Sequence, residues 1–222
     1  QSWQPNLPYV IDQPLSVAAG GRLTLPAGVI VKFASAGSTL TINGALVATG
    51  TTNSKVYFTS LNDDSVGSDT NNNGGASWSL PSDWGYIYFT DTSDDAVDII
   101  ENAVIRYGDD AMLKIQKSSP RIRNNSIYSS GGFPLHIYDQ AAPQIQNNDV
   151  WGNLTGAVKV WNAGMPTLQN NHLHQNGGFV MDIEADSQPI LIANPIDNNA
   201  LSAINVSGNL TGTLTWSLNT PT

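Results

Sequence analysis

The chain has 222 residues, with nine Lys and Arg against eighteen Asp and Glu, and so a formal net charge of −9. This acidity argues against a nucleic-acid backbone or an anionic membrane surface as a partner, because both are negatively charged. The chain has no cysteine, which excludes a disulfide framework. No run approaches the ~18 consecutive apolar residues of a membrane-spanning helix, so we expect no membrane insertion.

Residues 1–57 are predicted to form N-terminal coils and a cap. From residue 9 onward the sequence alternates apolar and polar residues, and the alternating segments are separated by the turns AGG, PAG, ASAGS and NGA. Alternation with a period of two is typical of half-buried strands, and clusters of Gly, Pro, Asn and Ser mark the turns between them. The sequence therefore predicts a series of short strands in this part of the chain.

Residues 58–84 lack this alternation and are predicted to form a long loop insertion. Residues 69–74 read DTNNNG, which matches the first half of a calcium-binding loop, D-x-[DN]-x-[DN]-G. The position of the last ligand holds Leu80 instead of Glu, which excludes an EF-hand. Calcium is thus a possible cofactor, and a plain solvated loop is the alternative. The candidate ligands are Asp63, Asp64, Asp69, Asn71, Asn73 and Asp83.

Residues 85–207 carry an internal repeat of 23 residues. Asparagine recurs at this spacing at Asn102, Asn125, Asn148, Asn171 and Asn194, and proline recurs at Pro120, Pro143, Pro166 and Pro189. Each repeat contains two alternating segments separated by a turn rich in Gly and Asn, and none shows the spacing of an amphipathic helix. A fixed period of this length indicates a solenoid, in which each unit buries its apolar face against its neighbours.

Four columns of apolar residues are predicted to point inward and to stack as parallel strands about 4.8 Å apart. They are Ile122, Ile145, Leu168 and Leu191; Ile127, Val150, Leu173 and Ile196; Leu135, Val158, Met181 and Ile204; and Ile137, Val160, Ile183 and Val206. The asparagines are predicted to form a buried ladder between coils. The prediction is a single all-β domain over residues 1–222, a single-stranded parallel β-helix with coils of roughly 23 residues, in which 208–222 form a C-terminal edge or linker with a strand near Thr213–Trp216.

The segments LTLPAGVIVKF, LTINGALVATGT, VYFTSLNDD and DWGYIYF resemble bacterial extracellular right-handed parallel β-helix proteins of the pectate-lyase-like class. The resemblance covers most of the chain. It implies a right-handed coil and an extracellular or cell-surface location. It does not specify a function, because this scaffold carries lyases, hydrolases and adhesins.

Two outward columns are candidate ligand-binding surfaces. The first holds Tyr128, Trp151 and His174, and the second holds Tyr138 and Trp161. Aromatic rings spaced one coil apart could bind sugar rings, while nearby carboxylates and amides bind the hydroxyl groups. The alternative is that these rings cover neighbouring backbone.

The catalytic motifs of related enzymes are largely missing. Gly108-Asp109-Asp110 offers the Asp pair of polygalacturonases, but the chain has no Gly-His-Gly and no Arg-x-Lys. Arg121 and Arg123 are followed one coil later by glutamines and not by acidic calcium ligands. The three histidines show no metal spacing beyond the pair His172 and His174.

The sequence therefore favours a glycan-binding, adhesive or scaffolding module over an enzyme. The partner would be a polysaccharide or a cell-surface glycan, and the chain is expected to be a monomer or a domain of a longer protein. The alternative is a polysaccharide lyase or glycoside hydrolase that acts on a neutral or weakly charged polymer. Its acid and base groups would be Asp182, Glu184, Lys159 and His136.

Overall fold

The computed structural model describes residues 1–211, Thr213 and the backbone of Leu218–Asn219. These residues form twenty-four short strands and no helix. In chain order the strands are β1 (Tyr9–Ile11), β2 (Leu15–Val17), β3 (Arg22–Pro26), β4 (Ile30–Phe33), β5 (Leu40–Ile42), β6 (Ala45–Thr49), β7 (Val56–Ser60), β8 (Ile87–Phe89), β9 (Ile99–Glu101), β10 (Ala103–Arg106), β11 (Leu113–Gln116), β12 (Arg121–Arg123), β13 (Ser126–Tyr128), β14 (Leu135–Tyr138), β15 (Gln144–Gln146), β16 (Asp149–Trp151), β17 (Val158–Val160), β18 (Thr167–Gln169), β19 (His172–His174), β20 (Phe179–Glu184), β21 (Ile190–Ile192), β22 (Ile196–Asp197), β23 (Leu201–Ser207) and β24 (Leu218–Asn219).

The strands form three parallel sheets of eight strands each, and every third strand along the chain joins the same sheet. The first sheet has the order β1-β4-β7-β10-β13-β16-β19-β22, the second β2-β5-β8-β11-β14-β17-β20-β23, and the third β3-β6-β9-β12-β15-β18-β21-β24. The chain is therefore a right-handed parallel β-solenoid with about 23 residues per turn, which confirms the predicted fold class.

Each coil contains three strands, and the prediction of two alternating segments per repeat was wrong on this point. The segment from Arg121 to Tyr128 is two strands, β12 and β13, which belong to different sheets. Between them Asn124 adopts a left-handed backbone conformation with φ of 58°. This conformation turns the chain at a corner. The pattern of apolar and polar residues does not reveal the corner, because apolar residues face inward in the strands on both sides of it.

The inward columns form the core. In the inner coils all their members are buried, and the register joins Ile122 to Ile145 and Ile127 to Val150, as predicted. The last coil differs: Val206 is 46 % exposed and Ile204 is only partly buried. Both lie in β23, which is the last strand of the second sheet and has a neighbour on one side only.

An asparagine ladder runs through one corner of the solenoid. The side chains of Asn125, Asn148, Asn171 and Asn194 are at least 96 % buried. The Nδ2 of Asn148 donates to Asn171 Oδ1 at 2.9 Å and to the Ile122 carbonyl at 2.8 Å, and Asn148 Oδ1 accepts from the backbone N–H of Asn125 at 3.0 Å. The same pattern repeats in the adjacent coils, so each amide satisfies corner backbone.

Asn102 does not belong to this ladder, which corrects the predicted series. Its coil advances by 22 residues, so that Val104 pairs with Ser126, and the ladder position is taken by Ala103. The Ala103 backbone N–H donates to Asn125 Oδ1 at 2.8 Å. Asn102 instead occupies the left-handed corner position, with φ of 50°.

A second ladder, which the sequence analysis missed, runs through the corner between the first and second sheets. Asn153 Nδ2 donates to Asn176 Oδ1 at 2.9 Å, and Asn176 Nδ2 donates to Asn199 Oδ1 at 2.9 Å. Asn153 and Asn176 are 2 % exposed. The 23-residue spacing of these three residues was visible in the sequence, and it was the signal that could have identified them.

The long loop, predicted at 58–84, both starts and ends slightly later in the structure. Strand β7 continues to Ser60, and the next strand begins at Ile87, so the segment outside strands is 61–86. Trp84 closes the loop onto the core: it is fully buried, stacks on Phe33 with ring centroids 4.2 Å apart, and donates from Nε1 to the Arg106 carbonyl at 2.8 Å.

At the C-terminus, residues 214–216 of the strand predicted at Thr213–Trp216 lie outside the described part of the chain. The backbone of β24 pairs with β21 and extends the third sheet. Across the described residues, no helix has the length and apolar character needed to cross a membrane.

Candidate functional site

A groove of about 360 Å³ lies on the outer face of the second sheet. We call it the Trp161 groove, and its lining residues are His136, Ile137, Tyr138, Asp139, Lys159, Trp161, Asn162 and Glu184. Strands β14, β17 and β20 carry most of these residues, and they lie one coil apart because His136 pairs with Lys159 and Lys159 pairs with Asp182. The stacking of coils thus assembles a surface from residues 23 positions apart.

Trp161 is the exposed aromatic residue of the groove, with 42 % of its surface accessible. The Nζ of Lys159 lies 3.6 Å from the centroid of its ring, which places a cation over the indole. Such a contact stabilises the position of the indole by an interaction of about 0.5–1 kcal/mol at an exposed site. Trp161 follows the end of β17 directly, so its place in the groove is set by a strand.

Hydrogen bonds hold the polar groups of the groove in place. Asn162 Nδ2 donates to Asp139 Oδ1, and the Asn162 backbone N–H donates to Glu184 Oε2 at 2.6 Å. Asp139 also accepts a hydrogen bond from Gln116 Nε2, and this bond lowers the pKa of Asp139. The carboxylates of Asp139 and Glu184 therefore stand beside the Trp161 ring as fixed acceptors.

The structure brings the alternative acid and base residues to one face, where Lys159 and Asp182 pair with each other and, among the described residues, the Nε2 of His136 is left without a hydrogen bond. Lys159 Nζ lies 3.8 Å from Asp182 Oδ2, and Asp182 Oδ1 accepts from Asn205 at 2.8 Å. His136 Nε2 has no hydrogen-bond partner among the described residues, and its nearest acidic atom is Asp110 Oδ2 at 3.5 Å. Burial lowers the pKa of His136 to about 4, so its imidazole is neutral at pH 7.

The aromatic column of the first sheet is in register as predicted, but its rings cover one another. The rings of Tyr128 and Trp151 stack with centroids 4.5 Å apart, and Trp151 lies 6.3 Å from His174 at an angle of 19°. Arg106 covers the other end of the column, with its guanidinium 5.8 Å from the Tyr128 centroid. Because the faces of Trp151 contact neighbouring rings, this column presents ring edges to solvent.

Several of the predicted calcium ligands take part in hydrogen bonds within the loop or at its base. Asp69 accepts from the backbone N–H groups of Asn73 and Gly74 at 3.0 Å and 2.7 Å, and so it stabilises a turn within the loop. Asp83 Oδ2 accepts from Ser60 Oγ at 2.7 Å. Asn73 likewise forms hydrogen bonds within its own turn, because its Oδ1 accepts from the backbone N–H of Gly75 at 3.0 Å.

Two of the candidate ligands keep an unpaired oxygen. Asp64 Oδ1 and Asn71 Oδ1 are buried and have no hydrogen-bond partner among the described residues. A hard cation would satisfy such acceptors. Calcium binding by the loop stays a prediction, and these two oxygens are the groups that would take part in it.

A buried ion pair anchors the base of the loop, and the sequence analysis did not identify it. Arg106 donates from Nε to Asp63 Oδ2 at 2.9 Å and from Nη1 to Tyr128 Oη at 2.7 Å. Burial opposes ionisation of Asp63, but hydrogen bonds from Thr59 and Ser65 and the charge of Arg106 lower its pKa overall. Asp63, a predicted calcium ligand, is therefore engaged as a structural anion.

Lys32 completes this anchor from inside. Its side chain is fully buried, and Nζ donates to the carbonyls of Asp63 at 2.8 Å and Ser68 at 3.1 Å. Burial lowers the pKa of Lys32. The only signal in the sequence was that Lys32 is a charged residue within the otherwise apolar segment VIVKF.

Comparisons with known proteins agree with this architecture. No curated protein and no solved structure matches the chain. Residues 85–220, more than half of the chain, match the family model described as a right-handed β-helix region. Since the match covers the coils that build the groove and both asparagine ladders, the chain belongs to the right-handed β-helix family.

Proposed function

We propose that the protein is an extracellular or cell-surface β-helix module that binds a neutral glycan in the Trp161 groove. The observation that carries the proposal is an exposed indole beside fixed hydrogen-bond acceptors in a groove of about 360 Å³. Sugar-binding sites combine an aromatic platform with a few oriented polar groups, and here Trp161 supplies the first and Asp139 and Glu184 supply the second.

Charge favours a neutral ligand. The groove contains the carboxylates of Asp139 and Glu184 against one cation, Lys159, and the whole chain has a net charge of −9, so a polyanionic chain such as a polyuronate would be repelled. The first-sheet column supports the assignment by contrast, because its rings stack on one another, whereas Lys159 covers one face of Trp161 and the residue still keeps 42 % of its surface accessible.

The test measures binding of soluble glucan, xylan, mannan and galactan to the whole chain by affinity electrophoresis and calorimetry. Trp161→Ala is expected to weaken binding at least about tenfold, which corresponds to about 1.4 kcal/mol. Trp78→Ala is the matched control, because Trp78 is 81 % exposed and lies in the long loop. Binding that Trp78→Ala leaves intact and Trp161→Ala removes would support the groove.

Two results would overturn the proposal: no affinity for any polysaccharide of the panel, or equal affinity in Trp161→Ala and the parent chain. A loss of binding in Trp151→Ala alone would indicate that the glycan binds at the first-sheet column. Release of reducing or unsaturated ends from the same panel would favour the lyase or hydrolase alternative instead, with His136, Lys159, Asp182 and Glu184 as the residues to test.

A further inference from the structure

Three potential metal ligands converge on the outer face of the first sheet, away from the Trp161 groove. Asp149 lies in β16, and His172 and His174 lie in β19, one coil further on. Asp149 pairs directly with His172 in the register, and the two imidazole rings stack with centroids 3.9 Å apart. Within the described part of the chain, this is the only group of three such residues whose ligand atoms all lie within 4.8 Å of one another.

The distances suit a tetrahedral ion. Asp149 Oδ1 lies 2.8 Å from His174 Nε2 and 3.6 Å from His172 Nδ1. In a tetrahedral zinc site with metal–ligand bonds of about 2.0–2.1 Å, neighbouring ligand atoms are about 3.4 Å apart. The two observed separations lie on both sides of this value, and the stacked imidazole rings must rotate before both nitrogens can point at one ion.

A fourth residue orients one of the ligands. Asp197 Oδ2 lies 2.7 Å from His172 Nε2, on the side of the ring opposite to Nδ1. An imidazole that donates Nε2–H to a carboxylate carries its lone pair on Nδ1, which is the nitrogen that faces Asp149. A carboxylate behind a ligating histidine is a recurrent feature of protein zinc sites, where it fixes the tautomer and the ring orientation.

We propose that Asp149, His172 and His174 bind a divalent transition-metal ion, for which Zn²⁺ is the probe, and that Asp197 is a positioning residue for His172. Imidazole nitrogen prefers zinc to calcium or magnesium, and the two carboxylates supply the negative charge that attracts a cation. The side chains of Asp149 and His172 are 46 % and 43 % exposed. The site is therefore accessible, and three protein ligands leave one coordination position for water or an external ligand.

The experiment titrates ZnCl₂ into the whole chain by calorimetry at pH 7.5, with CaCl₂ in a parallel run. We expect one Zn²⁺ site per chain and at least a hundredfold loss of affinity in the double variant His172→Gln, His174→Gln. Asp197→Asn is expected to weaken binding roughly 10–100-fold through loss of the outer carboxylate. His136→Gln is the matched control, because it replaces the third histidine, on the second sheet, and should not alter the affinity.

Co²⁺ provides an independent readout, since a tetrahedral site gives intense visible absorption that the double variant should abolish. Circular dichroism verifies that each variant is folded. The proposal is overturned if the parent chain binds no Zn²⁺, or if the double variant binds it equally well. An unchanged affinity in Asp197→Asn would overturn the positioning role.

Discussion

Individual residues at the corners determine how each coil turns. Asn124, Asn147 and Asn170 adopt left-handed backbone conformations with φ between 54° and 58°, and each precedes a ladder asparagine. Asn tolerates this conformation better than most residues. In each Asn-Asn pair the first residue therefore turns the chain, and the side chain of the second forms hydrogen bonds with the next coil. In the final repeat Ala193 takes the first position at φ of 49°, where an alanine is less favourable.

Buried charge at the residue scale predicts a pH dependence of stability. Asp98 is fully buried, its Oδ1 accepts from the Leu46 backbone N–H at 2.7 Å, and burial raises its pKa to about 6. Between about pH 4 and 6 the Asp98 carboxyl therefore stays protonated in the folded state, whereas in the unfolded chain, where its pKa has the ordinary value of 3.8, it is ionised. The contribution of Asp98 to the free energy of unfolding is therefore greatest below about pH 4 and is lost as the pH rises through about 6.

Asp98→Asn removes this titration and should flatten the stability profile between pH 4 and 6. The measurement is the urea midpoint at pH 4, 5, 6 and 7, and the exposed Asp91→Asn serves as the control. The difference between the Asp98→Asn variant and the parent chain should shift in favour of the variant as the pH rises. Parallel profiles for the two proteins would show that Asp98 does not titrate as inferred.

At the scale of elements, the amide ladders join strands that are 23 residues apart. Each ladder residue supplies hydrogen bonds to corner backbone that is buried away from water, and buried polar groups without partners are costly. The second ladder has the same geometry as the first, so the buried backbone at two corners of the solenoid is satisfied by the same kind of asparagine hydrogen bond. This regularity explains how parallel strands as short as three residues form a continuous stack.

Asn148→Ala is expected to lower the free energy of unfolding by about 3 kcal/mol, because it leaves the Ile122 carbonyl and the Asn125 backbone N–H without their side-chain partner. Urea denaturation measures the change. Gln144→Ala is the matched control, since Gln144 is exposed on the neighbouring strand β15 and should change stability by less than about 0.5 kcal/mol. Equal effects of the two substitutions would contradict a stabilising role of the ladder.

For the whole molecule, stability depends on contacts between adjacent coils, because a solenoid has few contacts beyond nearest neighbours. The end coils expose apolar side chains whose partners one coil further in are buried: Leu15 in the first coil is 37 % exposed beside the buried Leu40, and Val206 in the last is 46 % exposed beside the buried Ile183. The inner coils have a partner on both sides.

Hydrogen exchange should therefore be graded along the axis. Backbone amides of β13 and β16 are expected to exchange most slowly, and those of β1 and β22 fastest, since the latter strands lie at the ends of the first sheet. Exchange followed by mass spectrometry of peptides along the chain measures this gradient. Uniform protection from end to end would indicate that the solenoid opens as a single unit.

The repeat in the sequence was sufficient to predict the parallel stack, the inward columns of the inner coils and the register that joins Tyr128 to Trp151. A fixed period predicts these features because it identifies the residues that lie one coil apart. It failed where the coil length changes, so that Asn102 was placed in the ladder although Ala103 holds that position. It also could not separate the two strands that meet at each asparagine corner.

Contacts between segments without a common period were decided by the tertiary structure alone. Lys32, Asp63 and Arg106 meet at the base of the loop although they come from three different coils, and Asp197 reaches His172 diagonally across the sheet. Likewise the sequence placed Trp151 and Trp161 on outward faces, but only the structure shows that one ring is stacked and the other exposed. The sequence by itself determined the scaffold, because burial repeats along it, whereas the candidate sites depend on side-chain packing and loop paths that do not repeat.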